Sequence, residues 1–558
     1  MKPSSFAGLL ALGALSFGPL GCPLYAHLYD PVGTTSTTSG TGSAGGTGTS
    51  GTGGGGGAGG GVGGAGGACA PASSAPCYDG PAGTDGHGLC QVGSKTCNAD
   101  GTSYEPCLGA VLPTPEDCAT ATDEDCDGLA PACKGALVWS KRFGDADGPQ
   151  VSTGVAVDGA GNVILVGYFS GSVDLGGGPL VTPGPTDVFV AKFDANGSHL
   201  WSKRFGDVSP QAPSGVAVDD AGNVVLVGSF SGSVDFGGGP LKSAGTVDVF
   251  IAKLDAGGAH LWSKSFGDVG PQFANSVAVD GAGNAVVVGH FSGSVDFGGG
   301  PLVGTGSDDA FIAKLDAGGA HLWSKRFGDG DVQKATGVAV DGAGNVVLVG
   351  SFSGSVDFGG AFAGTSDVLV AKLDADGAHL WSKSFGDENP QRPNAVAVDG
   401  AGNIVLVGDF RGSVDFGGGP LASAGEADSF IAKLDAGGAH LWSKSFGDKG
   451  DQIPNSVAVD GAGNVVLVGY FSGSVDFGGG PLASAGDDDA FIAKLDAGGA
   501  HLWSKRFGDG LDQLGVSVAM DSAGEALMAG FFFGTASLGG APLVSAGGSD
   551  VFLAKFAP

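Results

Sequence analysis

Short apolar runs, separated by clusters of glycine, aspartate and asparagine, recur from residue 135 to the end of the chain. One repeating unit contains runs at 215–219 (GVAVD), 224–230 (VVLVGSF), 248–255 (DVFIAKLD) and 260–266 (HLWSKSF). Their length and their content of Val, Ile, Leu, Phe and Trp predict β-strands, and none has the length or the period of a helix. The glycine-containing segments 219–223 and 256–259 are short enough to form hairpin turns.

The pattern repeats with a nearly fixed period. The intervals between successive Trp-Ser-Lys motifs are 62, 61, 61, 58, 61 and 61 residues, and these motifs contain every tryptophan of the chain: Trp139, Trp201, Trp262, Trp323, Trp381, Trp442 and Trp503. Four strands per unit and seven units predict an all-β fold, a seven-bladed β-propeller over residues 135–558. Continuous apolar runs such as VVLV fit blades that pack on both faces.

The two ends of the repeat region complement each other. The first unit begins at a fourth strand, 136–143, and the last unit ends at a third strand, 550–556. We therefore expect the N- and C-terminal strands to share the last blade, which closes the ring and removes two exposed sheet edges.

Three repeated motifs, AVDGAGNVVLVG, DVFIAKLD and LWSKSFG, resemble the seven-bladed β-propeller (SBBP) repeat of bacterial surface proteins. The resemblance extends over roughly 420 residues, the propeller region, and recurs in register. It implies the propeller fold and a place at the cell surface, and it adds little chemistry.

The N-terminal region differs in composition from the repeats. Residues 1–22 combine Lys2 with an apolar stretch too short to span a bilayer and end at Cys22, which resembles a lipoprotein cleavage site with Cys22 as the lipid-attachment residue. Residues 23–68 form a low-complexity Gly/Ser/Thr linker, a flexible tether by composition. The sequence thus predicts export and lipid anchoring at the bacterial cell surface or outer membrane, with simple secretion as the alternative.

Residues 69–134 form a small cysteine-rich module. An even cluster of cysteines in a small exported segment predicts a disulfide framework whose pairing the sequence leaves open. Its members are Cys69, Cys77, Cys90, Cys97, Cys107, Cys118, Cys126 and Cys133.

A carboxylate alternation surrounds Cys126 at the end of this module. Asp123, Asp125 and Asp127 resemble a metal-binding Cys–Asp motif of secreted bacterial proteins, and their oxygens suit a calcium ion. The favoured interpretation is a solvated acidic turn, because the downstream glutamate of a calcium loop is missing. Calcium is the one cofactor that the sequence leaves open.

The charge balance excludes one class of partner. With 26 basic and 57 acidic residues, the formal net charge is −31, which repels phosphate backbones and argues against nucleic-acid binding. We expect a monomer that contacts a membrane only through a lipid anchor.

Variation among the repeats locates a candidate ligand face. Loops on a rigid scaffold are where binding usually resides, and the long connections between strands two and three lie on one face of the ring. At the end of strand two, one position varies in polarity and aromaticity: Tyr168, Ser229, His290, Ser351, Asp409, Tyr470 and Phe531. The alternative is drift at a solvent-exposed rim.

Other repeated residues are predicted to be structural. The Asp and Gln that follow each Phe-Gly are expected to fix loops, and the Ser-x-Asp-x-Gly motif resembles a structural Asp-box turn. Six histidines that precede Leu-Trp are expected to be exposed turn-end residues, since equivalent positions in packed sheets stand too far apart to share a metal ion.

The resulting functional hypothesis is a non-enzymatic cell-surface lipoprotein whose propeller binds an unknown extracellular protein or glycan. One alternative is an extracellular polysaccharide hydrolase or lyase on the same scaffold. The near-identical repeats offer no asymmetric catalytic constellation for it. A structural surface protein with no discrete ligand is the other alternative.

Overall fold

A computed structural model describes residues 69–113 (except 79, 81–83, 85, 87 and 88), 134–357 and 361–558. Within these residues every regular element is a β-strand. No helix in the described part of the chain is both long enough and apolar enough to span a lipid bilayer.

Seven four-stranded antiparallel sheets form the blades. Within each sheet, strands one, two, three and four are hydrogen-bonded to one another in that order. Blade 1 comprises Gln150–Val157, Val163–Phe169, Asp187–Phe193 and His199–Phe205. Blade 2 comprises Gln211–Val218, Val224–Phe230, Asp248–Leu254 and His260–Phe266. Blade 3 comprises Gln272–Val279, Ala285–Phe291, Asp309–Leu315 and His321–Phe327. Blades 4 and 5 comprise Gln333–Val340, Val346–Asp357, Ala361–Leu373 and His379–Phe385; Gln391–Val398, Ile404–Phe410, Asp428–Leu434 and His440–Phe446. Blades 6 and 7 comprise Gln452–Val459, Val465–Phe471, Asp489–Leu495 and His501–Phe507; Gln513–Met520, Ala526–Phe532, Asp550–Phe556 and Leu137–Phe143.

The first strands of neighbouring blades contact one another all round the ring, including blade 7 with blade 1, so strand one surrounds the centre and strand four is outermost. The predicted seven-bladed all-β propeller is confirmed. Tight turns between strands one and two, and between three and four, lie on what we call the short-turn face. The longer connections lie on the opposite, loop-rich face.

Each long connection between strands two and three contains a two-stranded ribbon, except in blade 4, where strands two and three are extended instead. The ribbons are Ser172–Asp174 with Pro179–Val181, Ser233–Val234 with Leu241–Lys242, Ser294–Val295 with Leu302–Val303, Ser413–Val414 with Leu421–Ala422, Ser474–Val475 with Leu482–Ala483, and Thr535–Ala536 with Leu543–Val544.

The ring closes in blade 7 as predicted. Leu137–Phe143 pairs antiparallel with Asp550–Phe556, with Ser140 opposite Ala554. An ion pair joins Arg142 to the buried Asp550, and the Phe143 ring is buried in the core between blades 7 and 1. The first strand of the region therefore completes the last blade.

Packing between blades makes the central strands apolar on both sides. Val224 through Val227 in strand two of blade 2 are all fully buried. The glycine that follows, Gly228, is required by close approach, since a Cβ there would lie 2.6 Å from the Phe250 ring. Such two-sided burial explains continuous apolar runs in an antiparallel sheet.

Every blade contains a buried ion pair near the short-turn face. It joins the lysine of strand three to the aspartate that follows strand one: Lys192–Asp158, Lys253–Asp219, Lys314–Asp280, Lys372–Asp341, Lys433–Asp399, Lys494–Asp460 and Lys555–Asp521. Six of these lysines also donate to an alanine carbonyl in the strand three–four turn of the next blade, as Lys314 does to Ala375 over 3.1 Å. The pair thus links neighbouring blades.

The carboxylate of this pair is held in its charged form. Burial alone raises the pKa of Asp280, but hydrogen bonds from Lys314 and Asn284 outweigh burial and lower that pKa below its ordinary value. The Lys314 and Asp280 side chains are only 4% and 7% exposed, so each charge depends on the other.

The described part of the cysteine-rich module belongs to a compact unit apart from the propeller. Ser74–Cys77 pairs with Gly93–Thr96, and disulfides join Cys69 to Cys97 and Cys77 to Cys107. Cys90 is also disulfide-bonded. These bonds confirm the predicted disulfide framework for the described cysteines, whereas Cys118, Cys126 and Cys133 lie outside the described residues, as does Cys22.

Candidate binding site at the channel mouth

The variable residues of strand two lie where that strand reaches the loop-rich face. His290, Asp409, Tyr470 and Phe531 are buried there, whereas Tyr168, Ser229 and Ser351 are half-buried. The first four therefore shape the wall of the propeller more than its accessible surface.

A second variable position lies directly opposite them on strand one. In blade order it is Val151, Ala212, Phe273, Lys334, Arg392, Ile453 and Leu514. Phe273, Lys334 and Arg392 keep part of their surface exposed. This row was not predicted from the sequence, although the residue that follows each repeated glutamine varies in the same way. We call the two rows together the channel mouth.

One arc of the channel mouth is apolar. Val151, Ile453, Tyr470, Leu514 and Phe531 pack in one cluster that spans blades 6, 7 and 1. Tyr168 and Phe533 are half-buried and pack against this cluster. Two aromatic side chains thus remain accessible beside a filled apolar wall.

The arc formed by blades 3 and 4 is polar. The His290 ring stacks on Phe273 with centroids 5.1 Å apart, and its Nδ1 lies 3.2 Å from Asn275 Nδ2. Burial, assisted by the nearby Lys334 charge, lowers the pKa of His290 to about 3, so the imidazole is neutral at physiological pH. Lys334 Nζ lies 3.5 Å from Asp308 Oδ2.

Blades 5 and 6 bring charged and aromatic groups together. Arg392 lies opposite Asp409 in the register, and Asn394 donates to Asp409 over 3.3 Å. Burial raises the pKa of the Tyr470 phenol, and the negative charges of Asp488 and Asp409 raise it further. The propeller therefore brings the predicted residues Asp409 and Tyr470 close enough for the charge of Asp409 to act on the Tyr470 phenol.

Hydrogen bonds between blades fix strand one at this mouth. A polar side chain two positions after the variable residue donates to a carbonyl of the next blade, as Asn275 does to Ala335 over 2.7 Å. The other donors are Ser214, Thr336, Asn394 and Asn455. In blade 7 the position is Val516, which cannot donate. Through this position, each of blades 2 to 6 is tied to the next blade.

The repeated aspartate and glutamine fix the loops, as predicted. In blade 3, the Asp268 carboxylate accepts from Gln272 Nε2 over 2.9 Å, from the Gly270 amide and from Ser294 Oγ. The Ser-x-Asp-x-Gly motif is likewise a turn, in which Asp235 accepts from the Gly237 and Gly239 amides.

The repeated histidines differ from the prediction of exposed turn-end residues. His379 is exposed, but the other five are half-buried. Each donates to or accepts from a serine three residues later, as His260 does with Ser263 over 3.1 Å. A Cβ on Gly238 would lie within 2.6 Å of His260 Nε2, so the loop glycine makes room for the ring.

The described residues contain no cluster of three or more His, Cys, Asp or Glu side chains arranged to hold a metal ion. The calcium hypothesis concerned Asp123, Asp125 and Asp127, which lie outside the described residues. It stays a prediction.

We expect the substitution Asp488→Asn to stabilise the protein at pH 7.5 by about 1–2 kcal/mol. Burial, together with the charges of Asp512 and Asp451, raises the pKa of Asp488 to about 6. The stability that this raised pKa contributes is present below the ordinary pKa and is lost as pH rises through 6, so the variant should show its advantage only above that pH. Urea unfolding at pH 4.5 and 7.5 measures the difference. The exposed neighbour Asp487→Asn is the control, and an equal effect of both variants would contradict the prediction.

The chain is similar in sequence to two curated proteins. No protein-family model matches the chain. It is 22% identical over 502 residues to an uncharacterised WD repeat-containing protein of Acanthamoeba polyphaga mimivirus, covering 71% of this chain and 36% of that protein. It is 27% identical over 400 residues to the regulatory protein FlaEY of Caulobacter vibrioides, covering 65% of this chain and 40% of that protein. The chain thus spans less than half the length of these curated relatives.

Two of the solved structures to which the chain is similar are named as enzymes. An ulvan lyase matches with a TM-score of 0.41 and 14% identity over 73% of this chain and 97% of that one. A puromycin hydrolase matches with a TM-score of 0.40 and 13% identity over 69% of this chain and 51% of that one.

Proposed function

We propose that this chain is an exported, non-enzymatic binding module of the SBBP type, which acts at the bacterial surface through a lipid on Cys22. Three observations support export: the N-terminal signal pattern, the disulfides of the cysteine-rich module, and the resemblance of the repeats to surface proteins. Disulfides persist mainly in oxidising compartments.

The observation that carries the binding role is the concentration of sequence variation at the channel mouth. At most other strand positions the blades repeat nearly the same residues, whereas the mouth combines the accessible aromatic residues Tyr168 and Phe273 with Lys334 and Arg392. The half-buried Phe533 lies beside it. Aromatic side chains and arginine supply most of the energy at protein–protein interfaces. The favoured partner is therefore a segment of an extracellular protein.

We propose that the channel mouth binds its partner and does not catalyse a reaction. A general acid or base needs a pKa near the working pH and access to substrate. His290 is the histidine peculiar to one blade, and it is only 5% exposed with a strongly lowered pKa. The alternative of a polysaccharide hydrolase or lyase is kept as an outcome of the test below.

The test is a peptide-display selection on the immobilised full-length chain, followed by binding measurements with two variants. The mouth variant carries Phe273→Ser, Lys334→Glu and Arg392→Glu, while the control carries Lys242→Glu and Val303→Ser, which are exposed on loop-face ribbons. We expect selected peptides to lose at least tenfold in affinity for the mouth variant and to bind the control unchanged.

Two results would overturn the proposal. Peptides that bind the mouth variant and the parent equally would place recognition elsewhere. Turnover of any polysaccharide by the parent, abolished by His290→Ala in a folded protein, would establish an enzyme instead.

A further inference from the structure

An open cleft of about 640 Å³ lies between blades 3 and 4 on the short-turn face. Its walls include Leu322 and Trp323 from the outer strand of blade 3, and Asp280, Asn284 and Lys314 from the same blade. Blade 4 contributes its two tight turns, 342–344 and 375–376. The cleft is on the opposite face from the channel mouth.

The same set of residues recurs at five blade junctions. Each has the Asp–Lys ion pair, the asparagine four residues after the aspartate, a tryptophan whose indole N–H donates to the next blade, and a leucine about half exposed: Leu200, Leu261, Leu322, Leu380 and Leu441. The junction of blades 7 and 1 has Val138 and Glu525 in place of leucine and asparagine. At the junction of blades 6 and 7, Trp503 Nε1 has no acceptor among the described residues.

The apolar wall of the cleft is preorganised. Trp323 Nε1 donates to the Ala375 carbonyl over 3.0 Å, so the indole is fixed to the neighbouring blade. Gly377 packs against the ring, since a Cβ there would lie 2.8 Å from Trp323 Cδ2. Leu322 beside it is 48% exposed. A fixed indole edge and a leucine together form a contact surface that costs little ordering entropy on binding.

The polar wall favours an uncharged ligand. Lys314 is neutralised by Asp280 and also donates to the Ala375 carbonyl. At this junction Asp376 adds a negative charge at the rim, where the other four complete junctions have glycine, and the whole chain carries −31. An anionic ligand would therefore be repelled, whereas hydroxyl groups can hydrogen-bond to Asn284, to Asp376 and to the turn backbone.

We propose that the five complete blade junctions of the short-turn face are similar binding sites for neutral saccharides. A pyranose ring presents apolar C–H groups to the Leu–Trp wall and hydroxyl groups to the polar wall. The cleft volume falls within the range of about 300–1,000 Å³ that is typical of small-molecule sites. Five weak sites on one face would bind a polysaccharide by avidity. This inference is independent of the proposed protein-binding role of the channel mouth.

The test is calorimetry and intrinsic fluorescence on the full-length chain, with cellohexaose, maltohexaose and mannohexaose as neutral probes and hexagalacturonate as the anionic probe. We expect at least one neutral probe to bind with a stoichiometry near five, and the anionic probe to bind at least tenfold more weakly. Because every tryptophan lies in an outer strand beside a junction, binding should change the tryptophan emission. Binding at the channel mouth would leave that emission unchanged.

The number of sites is then tested by measuring the binding stoichiometry of substituted chains. Leu322→Asn should reduce the stoichiometry from five to four, and the substitution of all five leucines by asparagine should abolish binding. The control substitutes asparagine for Val181, Val303 and Val544, which are exposed on the loop-rich face. The three mouth substitutions should have no effect.

The proposal is overturned if no neutral probe binds at millimolar concentration, if the stoichiometry is one, or if the five-leucine variant binds as the parent does. None of these results bears on peptide binding at the mouth, so the two proposals fail separately.

Discussion

Replacement of Lys314 by methionine is expected to destabilise the propeller by about 3–5 kcal/mol, the usual cost of leaving one member of a buried ion pair without its partner. Methionine preserves the aliphatic volume but leaves the Asp280 carboxylate buried and uncompensated. It also removes the hydrogen bond to Ala375 in blade 4. Urea-induced unfolding at pH 7 measures the loss as a lower midpoint.

The exposed lysine Lys242 provides the matched control, and Lys242→Met should change the midpoint little. Adding Asp280→Asn to Lys314→Met should recover part of the loss, because the amide oxygen still accepts from the Ala282 and Asn284 backbone amides. The stability contributed by the lowered Asp280 pKa is present above the ordinary value of 3.8 and is lost as pH falls through the lowered pKa. The difference between parent and Lys314→Met should therefore shrink in acid. Equal midpoints at pH 7 would refute this role for the pair.

Deletion of residues 137–143 from the full-length chain is expected to cause aggregation or to lower the melting temperature on the order of 10 °C. The deletion removes the outer strand of blade 7, exposes the edge of Asp550–Phe556, and leaves Asp550 without Arg142. It also removes the buried Phe143 and the hydrogen bond from Trp139 to Ala195 in blade 1.

A deletion of equal length within the glycine-rich segment, residues 51–57, controls for the loss of seven residues. Calorimetry and size-exclusion chromatography compare the two chains. If both remain monomeric and melt together, strand sharing in blade 7 does not hold the ring closed.

The strands could be predicted from the sequence because local pattern and tertiary packing agree. The predicted strand 224–230 and its third and fourth partners match the structure to within a residue. Strand one was predicted too short, at 215–219, because the register shift between Pro213 and Gly215 hides its continuation back to Gln211. A bulge inserts a residue that breaks the apolar alternation without ending the strand.

The site could be predicted only in outline. Variation marked the right end of strand two, but the burial of His290 and Asp409 depends on how closely the neighbouring blade packs, which one strand does not encode. The clefts of the short-turn face escaped prediction for a related reason. Leu322 and Trp323 meet the turns of the next blade only after the ring has formed, about 20 to 55 residues away in sequence.

The shared blade also has a genetic consequence. Each repeat unit is offset from the blade by one strand, so recombination between two copies of the Trp-Ser-Lys segment would delete or duplicate one whole unit. The product would still begin with a fourth strand and end with a third, and the same two termini could meet. The number of blades can therefore change during evolution while the ring still closes by pairing of its first and last strands.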